Sequence, residues 1–238
     1  METIELPTAI FLTLFTVFVF QSFTFIQKKL ALIWLNPMLL SIAIIIPTLI
    51  FFNISFEQYT VSTQYLSNLL EPAIVALGFP LYQHLHSIKY QWKIIFSLLF
   101  LAIILVISVS FILTMLLITI PSVAISLSLK SVTTPIGLAI TQQLQGDTAI
   151  TAFAIILAGL FGAFLGPRWL NFINVKSAKA QGLAIGCASH ALGTAALSKI
   201  SYEHAAYSSL ALIFSAIITA LISPYLITML LESVDLWL

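Results

Sequence analysis

The chain has 238 residues, 61% of them hydrophobic and only 7% charged, with a mean hydropathy of +1.12. A soluble domain carries about 25% charged residues, so this composition excludes one and gives an all-α polytopic membrane protein. A closed barrel would need alternating segments of about ten residues, whereas these apolar runs are continuous, and a net charge of +1 leaves no electrostatic basis for binding nucleic acid.

Uncharged runs predict the membrane segments. Segment A covers 7–27, opened by Pro7, and Glu2 and Glu5 before it make it a retained span rather than a secretory signal. Segment B covers 37–53, with Pro37 at its start and Pro47 inside; C covers 66–83 and contains Glu71-Pro72 and Pro80. Segment D covers 92–118. Residues 94–129 contain no Asp, Glu, Lys, Arg or His, and as one helix that run would reach roughly 54 Å across a hydrocarbon core of about 30 Å. The chain must turn, and Pro121 is where. Segment E then covers 122–145, interrupted by Lys130 and Pro135; F covers 148–167, ending at Gly166-Pro167. Segment G covers 180–198, rich in Gly, Ala and Ser, and H covers 205–231. The expectation is one transmembrane domain over 1–238 with about six to eight membrane segments, in which A and B (7–53) serve as scaffold.

Basic residues set orientation. Lys28/Lys29 follow A, Lys89/Lys93 lie between C and D, and Arg168/Lys176/Lys179 lie between F and G. All these clusters share one face if E is a re-entrant hairpin whose halves meet near Lys130–Pro135; a fully crossing E puts the last cluster on the wrong side. If G re-enters from the opposite face, two broken segments meet inside the membrane, an elevator-like arrangement of the kind in which secondary transporters build substrate sites. A weak internal likeness between Pro72-Ala-Ile-Val-Ala-Leu and Pro135-Ile-Gly-Leu-Ala-Ile suits inverted repeats.

Lys130 is the costliest residue to insert, at roughly +2.5 to +3.5 kcal/mol for a central lysine. Ser131, Thr133 and Thr134 surround it, and Thr134 is expected to cap a half-helix beginning at Pro135. Ammonium, hydroxyls and a helix N-terminus together favour a small anion such as a carboxylate. The alternative is an ordinary span end from which Lys130 snorkels to the interface. His190, beside Ser189 and ahead of Gly193-Thr194, suits hydrogen bonding or proton coupling; the alternative is a buried histidine bonded to backbone. Glu71 is a candidate proton carrier, or an interfacial acid starting a helix at Pro72. Asp147 reads as the N-cap of F. The glycines of F and G suit close helix packing, and the lone Cys187 reads as packing. No catalytic or phosphate-cradling motif is present, so neither enzyme activity nor a metal or cofactor is expected.

The stretch Lys130-Ser-Val-Thr-Thr-Pro135-Ile-Gly-Leu-Ala-Ile, the later Leu-Gly166-Pro167, and Gly-Cys-Ala-Ser189-His190-Ala-Leu-Gly193-Thr194-Ala resemble the LrgB/CidB family, as does Glu71-Pro-Ala-Ile-Val-Ala-Leu-Gly-Phe-Pro80-Leu-Tyr82. The resemblance spans about 66–231. It implies a place in the bacterial cytoplasmic (inner) membrane and two functional traditions. One is an antiholin-like regulator of murein hydrolase export and autolysis, working with a small holin-like LrgA/CidA partner. The other is movement of small monocarboxylates, as in a related chloroplast glycolate/glycerate translocator and bacterial pyruvate systems. The residues favour the second: a transporter or facilitator of 2-oxo and 2-hydroxy acids (pyruvate, glycolate or glycerate), with Lys130, Ser131, Thr133, Thr134, Pro135, Ser189, His190, Gly193 and Thr194 forming the site. The chain is expected to work in the lipid bilayer as a homodimer or other homo-oligomer.

Overall fold

The computed structural model describes residues 6–30, 37–69, 72, 75–76 and 78–235. Glu71 and half of the first copy of the repeat (residues 73, 74 and 77) lie outside the described residues. Among these residues the protein is entirely helical: α1 (Leu6–Leu30), α2 (Pro37–Phe51), α3 (Phe56–Ser62), α4 (Gln64–Asn68), α5 (Gly78–Gln83), α6 (Leu85–Ile118), α7 (Pro121–Ser128), α8 (Thr134–Gln143), α9 (Thr148–Phe172), α10 (Ala178–Leu197) and α11 (Tyr202–Asp235). Four helices are long and apolar enough to cross a bilayer, within α1, α6, α9 and α11, and a fifth span is possible if the bent α2–α3 pair is counted as one. The expected six to eight segments are therefore not confirmed as a count. The chain falls into two compact units, 1–73 and 74–238.

In the first unit α2 and α3 are bent by 117°. The bend is locally encoded: Asn53 takes a left-handed φ of 54°, and Ser55 and Gln58 close a capping box that starts α3. Tyr59 OH meets Thr16 Oγ1 at 2.8 Å, and the Thr13 hydroxyl donates to Ser62 O at 2.8 Å, tying α3 to α1.

In the second unit the contacts fix the sense of each helix. Ile185 packs on Gly166 and Ser189 on Gly162, so α9 and the start of α10 are antiparallel. Cys187 shares a cavity with Ile103, Val106 and Ile107, while Ser177 and Lys179 border a cleft that reaches Gln91, so α10 starts out alongside α6 in the same sense. The rings of Phe96 and Phe214 lie 6.1 Å apart, and Thr219 reaches the level of Ile103–Ile107, so α11 also runs with α6. Since α6 and α9 oppose each other, the chain between them returns to the face it left. Lys89, Lys93, Arg168, Lys176, Lys179 and Lys199 consequently all lie toward one face, termed near; Asp147 and Glu232 lie toward the far one.

Segment E is the broken, re-entrant hairpin expected. Pro121 begins α7 at its first turn, where its missing N–H costs nothing. The eight residues of α7 and ten of α8 are about 12 and 15 Å long, each too short to cross. After α8 the chain comes back to α7: Asp147 N donates to Ser126 Oγ at 2.8 Å, and Gly146 lies against Ile125 and Ser126. Thr141 and Thr151 bond each other at 2.8 Å inside this bundle. Asp147 caps α9 as read from the sequence, accepting from Ala149 N and Ile150 N at 2.8 and 3.1 Å.

Segment G is a second, tighter hairpin. Its helix is interrupted at Ser189 (φ −130°, ψ 16°) and His190 (φ 41°, ψ −139°). Beyond the break the chain doubles back. A Cβ on Gly193 would stand 2.6 Å from Ser189 Cβ and 3.2 Å from the Ile185 carbonyl, an approach that residues eight apart on a straight helix, about 12 Å from each other, cannot make. Gly186 and Thr194, on opposite limbs, both reach Ser208 of α11. The hairpin enters from the near face and is rooted there by Gln181, whose amide donates to Asn171 Oδ1 (2.8 Å) and Val175 O (2.7 Å) and whose Oε1 faces His204 Nε2 at 3.1 Å.

Candidate functional site: two opposed hairpin tips

Each tip carries one of the polar groups singled out in the sequence. Lys130 sits in the α7–α8 turn, half-buried, with Nζ donating to the Ser110 hydroxyl and, at 3.4 Å, to Leu127 O. Ser110 is on α6, and the residues from there to the helix end at Ile118 place the ammonium about 12 Å short of that end. Its partners are a span hydroxyl and a backbone carbonyl of its own hairpin.

Thr133, rather than Thr134, is the N-cap of α8, with φ −66° and ψ 145°, and its hydroxyl makes no cap bond. Pro135 therefore stands at the second helical position rather than the first, still within the first turn, where its missing N–H breaks no intrahelical bond. The turn is instead closed by Gly137 N donating to Thr133 O at 2.9 Å. Pro135 is exposed, and Ser131, Thr133 and Thr134 are half-buried.

His190 is 6% exposed and its Nε2 lies 2.9 Å from Ile155 O; since a carbonyl only accepts, that nitrogen carries the proton in this bond. A methyl group at Gly159 would come 2.7–2.8 Å from the imidazole ring, so this glycine makes the space the ring occupies. Ser189 is buried against Gly162, and Thr194 donates to His190 O at 3.0 Å, clamping the turn. His190 holds a positive φ without being glycine, at a cost on the order of 1–3 kcal/mol. Gly193 lets the two limbs touch.

The tips approach each other around a small cavity of about 10 Å³, lined by Ile103, Val106, Ile107, Ser128, Leu129, Ser131, Val132, Cys187 and Thr219. That is about the room one water needs. From the expected set, only Ser131 lines it; Lys130 and His190 do not, being bonded instead to Ser110 of α6 and Ile155 of α9. Ile155 connects the two tips. Its carbonyl meets His190, and its Cδ1 packs where a Cβ on Gly137 would stand, 2.6 Å away. Sequence reasoning missed Ser110, Ile155 and Thr219, and took Cys187 for packing alone. Ser110 and Thr219 had a weak signal as hydroxyls in apolar runs; Ile155 had none.

The sequence matches the LrgB-like family over residues 16–229. It is similar to the Holin-like protein CidB of Staphylococcus aureus, 32% identical over 219 residues that cover 92% of this chain and 96% of that protein. The Holin-like protein CidB of Staphylococcus epidermidis is 32% identical over 227 residues, 94% and 97% of the two chains. A protein of Haemophilus influenzae is 33% identical over 213 residues, 90% and 92% of the two chains. No solved structure matches the chain.

Proposed function

The chain belongs to the LrgB-like family of membrane proteins, and on that premise we propose that it carries small monocarboxylates across the bacterial cytoplasmic membrane without altering them chemically. The observation that supports this reading is the meeting of two broken hairpins, entering from opposite faces, at one small cavity. Carriers place substrate at such breaks because unwound backbone and helix ends supply polar groups inside the bilayer. Lys130 then attracts the carboxylate, and Ser131, Thr133, Thr134, Ser189 and Thr194 offer hydroxyls. Pro135 and Gly193 shape the two turns. His190 orients the substrate or moves a proton, and Glu71 is a second candidate for proton coupling. A space for about one water is too small for pyruvate, so this is a closed arrangement and transport requires the hairpins to part.

The second reading is an antiholin-like regulator of murein hydrolase export and autolysis, acting with a small holin-like LrgA/CidA partner. The printed names of the staphylococcal relatives favour it; the hairpin geometry favours the first. Purified protein in liposomes separates them. Labelled pyruvate, glycolate or glycerate should enter, and entry should collapse in Lys130→Ala and His190→Ala variants that remain folded. Absence of uptake for all three acids, alone and with the small partner, would leave the regulator. The carrier is proposed to act as a homodimer or other homo-oligomer, which crosslinking in native membranes would detect.

A further inference from the structure

Two cavities of very different size meet at one pair of side chains. A cleft of about 510 Å³ runs between α6 and the first limb of α10, with Gln91, Ser177 and Lys179 toward its near-face end. Val106 and Cys187 stand among its deepest residues, and the same two side chains line the one-water cavity at the hairpin tips. The large far-face cleft, about 670 Å³ between the end of α8 and α11, shares no lining residue with the tip cavity among the described residues. Among the described residues, the near-face cleft adjoins the tip cavity through shared side chains and the far-face cleft does not.

Resting on the carrier reading above, we infer that the α6–α10 cleft is the route by which a small monocarboxylate passes between the near face and the tips, and that Val106 and Cys187 are its gate. The chemistry along the cleft fits that traveller. Lys179 stands at the mouth, its Nζ held 5.6 Å from the centre of the Tyr207 ring, where its charge draws in an anion. Beyond it the walls are Leu98, Ala102, Leu183 and Ala184. Such walls accept a short apolar tail, whereas the second charge of a dicarboxylate would be buried unpaired among them. Past the gate come the hydroxyl-bearing residues Ser128, Ser131 and Thr219. Both gate side chains are small and uncharged, and Cys187 is only 8% exposed, so a slight shift of the α10 hairpin opens or closes the way.

Cys187 is the sole cysteine, so the full chain reports on its own gate. Inside-out and right-side-out vesicles are treated with an impermeant sulfonated maleimide, with permeant N-ethylmaleimide, and with either after saturating pyruvate. Ala184→Cys in a Cys187→Ser background, on the exposed wall of the cleft, checks that reagent enters. The expected result is impermeant labelling of Cys187 from the near face, several-fold faster in Val106→Ala and several-fold slower with pyruvate. Labelling by N-ethylmaleimide alone would mean lipid chains fill the cleft, and labelling from the far face would reverse the route. Label at Ala184→Cys without label at Cys187, even in Val106→Ala, would mean the cleft ends blind. Each of these overturns the route. If uptake persists in liposomes while the route fails, the carrier reading stands; near-face labelling that pyruvate, glycolate and glycerate all leave unchanged removes the substrate from the cleft, and joined to absent uptake it removes the carrier as well.

Discussion

Ile155 and His190 are joined by a 2.9 Å hydrogen bond from the imidazole Nε2 to the Ile155 carbonyl, and the side chain of the same isoleucine presses on the opposite hairpin at Gly137. One residue of α9 thus bears on both broken segments. A Cβ at Gly137 would meet Ile155 Cδ1 at 2.6 Å, Val132 Cγ1 at 3.3 Å and Thr151 Cγ2 at 3.5 Å. Gly137→Ala is expected to cost about 1–3 kcal/mol through overpacking. Adding Ile155→Val deletes the offending Cδ1 and should recover most of that loss, read as the midpoint of thermal unfolding in detergent. No recovery would show that the pressure falls elsewhere.

The backbone at His190, with φ 41° and ψ −139°, suits glycine far better than histidine. His190→Gly removes the conformational penalty, on the order of 1–3 kcal/mol, but also deletes a buried ring and its bond to Ile155, leaving a cavity and an unpaired carbonyl that together cost more, about 2–5 kcal/mol. The variant should therefore be modestly destabilised yet folded, while monocarboxylate uptake falls to background. If the variant instead unfolds, the imidazole is mainly structural; if uptake survives, it is dispensable.

Lys130 is held by Ser110 and Leu127 O. Lys130→Met keeps the length of the side chain and removes the charge, whose insertion costs roughly 2.5–3.5 kcal/mol at a helix centre. The variant should melt at or above the temperature of the parent and yet lose uptake. Lys130→Arg keeps the charge and should retain part of the activity. A Lys130→Met protein that transports normally would dissociate this residue from the substrate.

Thr141 and Thr151 are both fully buried and bonded at 2.8 Å, with Thr151 also 3.4 Å from Ser126 O and 3.1 Å from Asp147 O. Thr141→Val, Thr151→Val and their combination form a double-mutant cycle. Hydroxyl pairs inside membrane proteins couple by about 0.6 kcal/mol on average, and a coupling of that order is expected from unfolding in mixed micelles. Thr141→Val should be the costlier single change, because the Thr141 hydroxyl both donates to Gly137 O at 2.8 Å and accepts from Thr151, whose single proton serves only one of its three acceptors at a time.

The end of D and the start of F were legible because local chemistry marks them, Pro121 just after α6 and Asp147 capping α9. The expected end of F at Gly166-Pro167 was not, since α9 takes Pro167 inside it and runs on to Phe172, and α6 begins at Leu85, ahead of the expected start of D. The break in E was legible too, since a lysine and a proline cannot be absorbed silently in an apolar run. The doubling back of G was only half legible. Its glycines signal close packing, but the residue that reverses the chain is His190, and nothing in a histidine announces a positive φ. The reach of Lys130 to Ser110, and the position of Ile155 between the hairpins, depend on how spans stack. Apolar faces all look alike in one dimension, so such pairings remain hidden until helices are set side by side.

The space between the tips decides what an idle copy does to the cell. A gap that admits one water does not pass a hydrated ion, so on the carrier reading a closed copy is not an open pore between its two hairpin tips. On that same reading, flux depends on exchange of conformations and should be saturable and strongly temperature-dependent instead of ohmic.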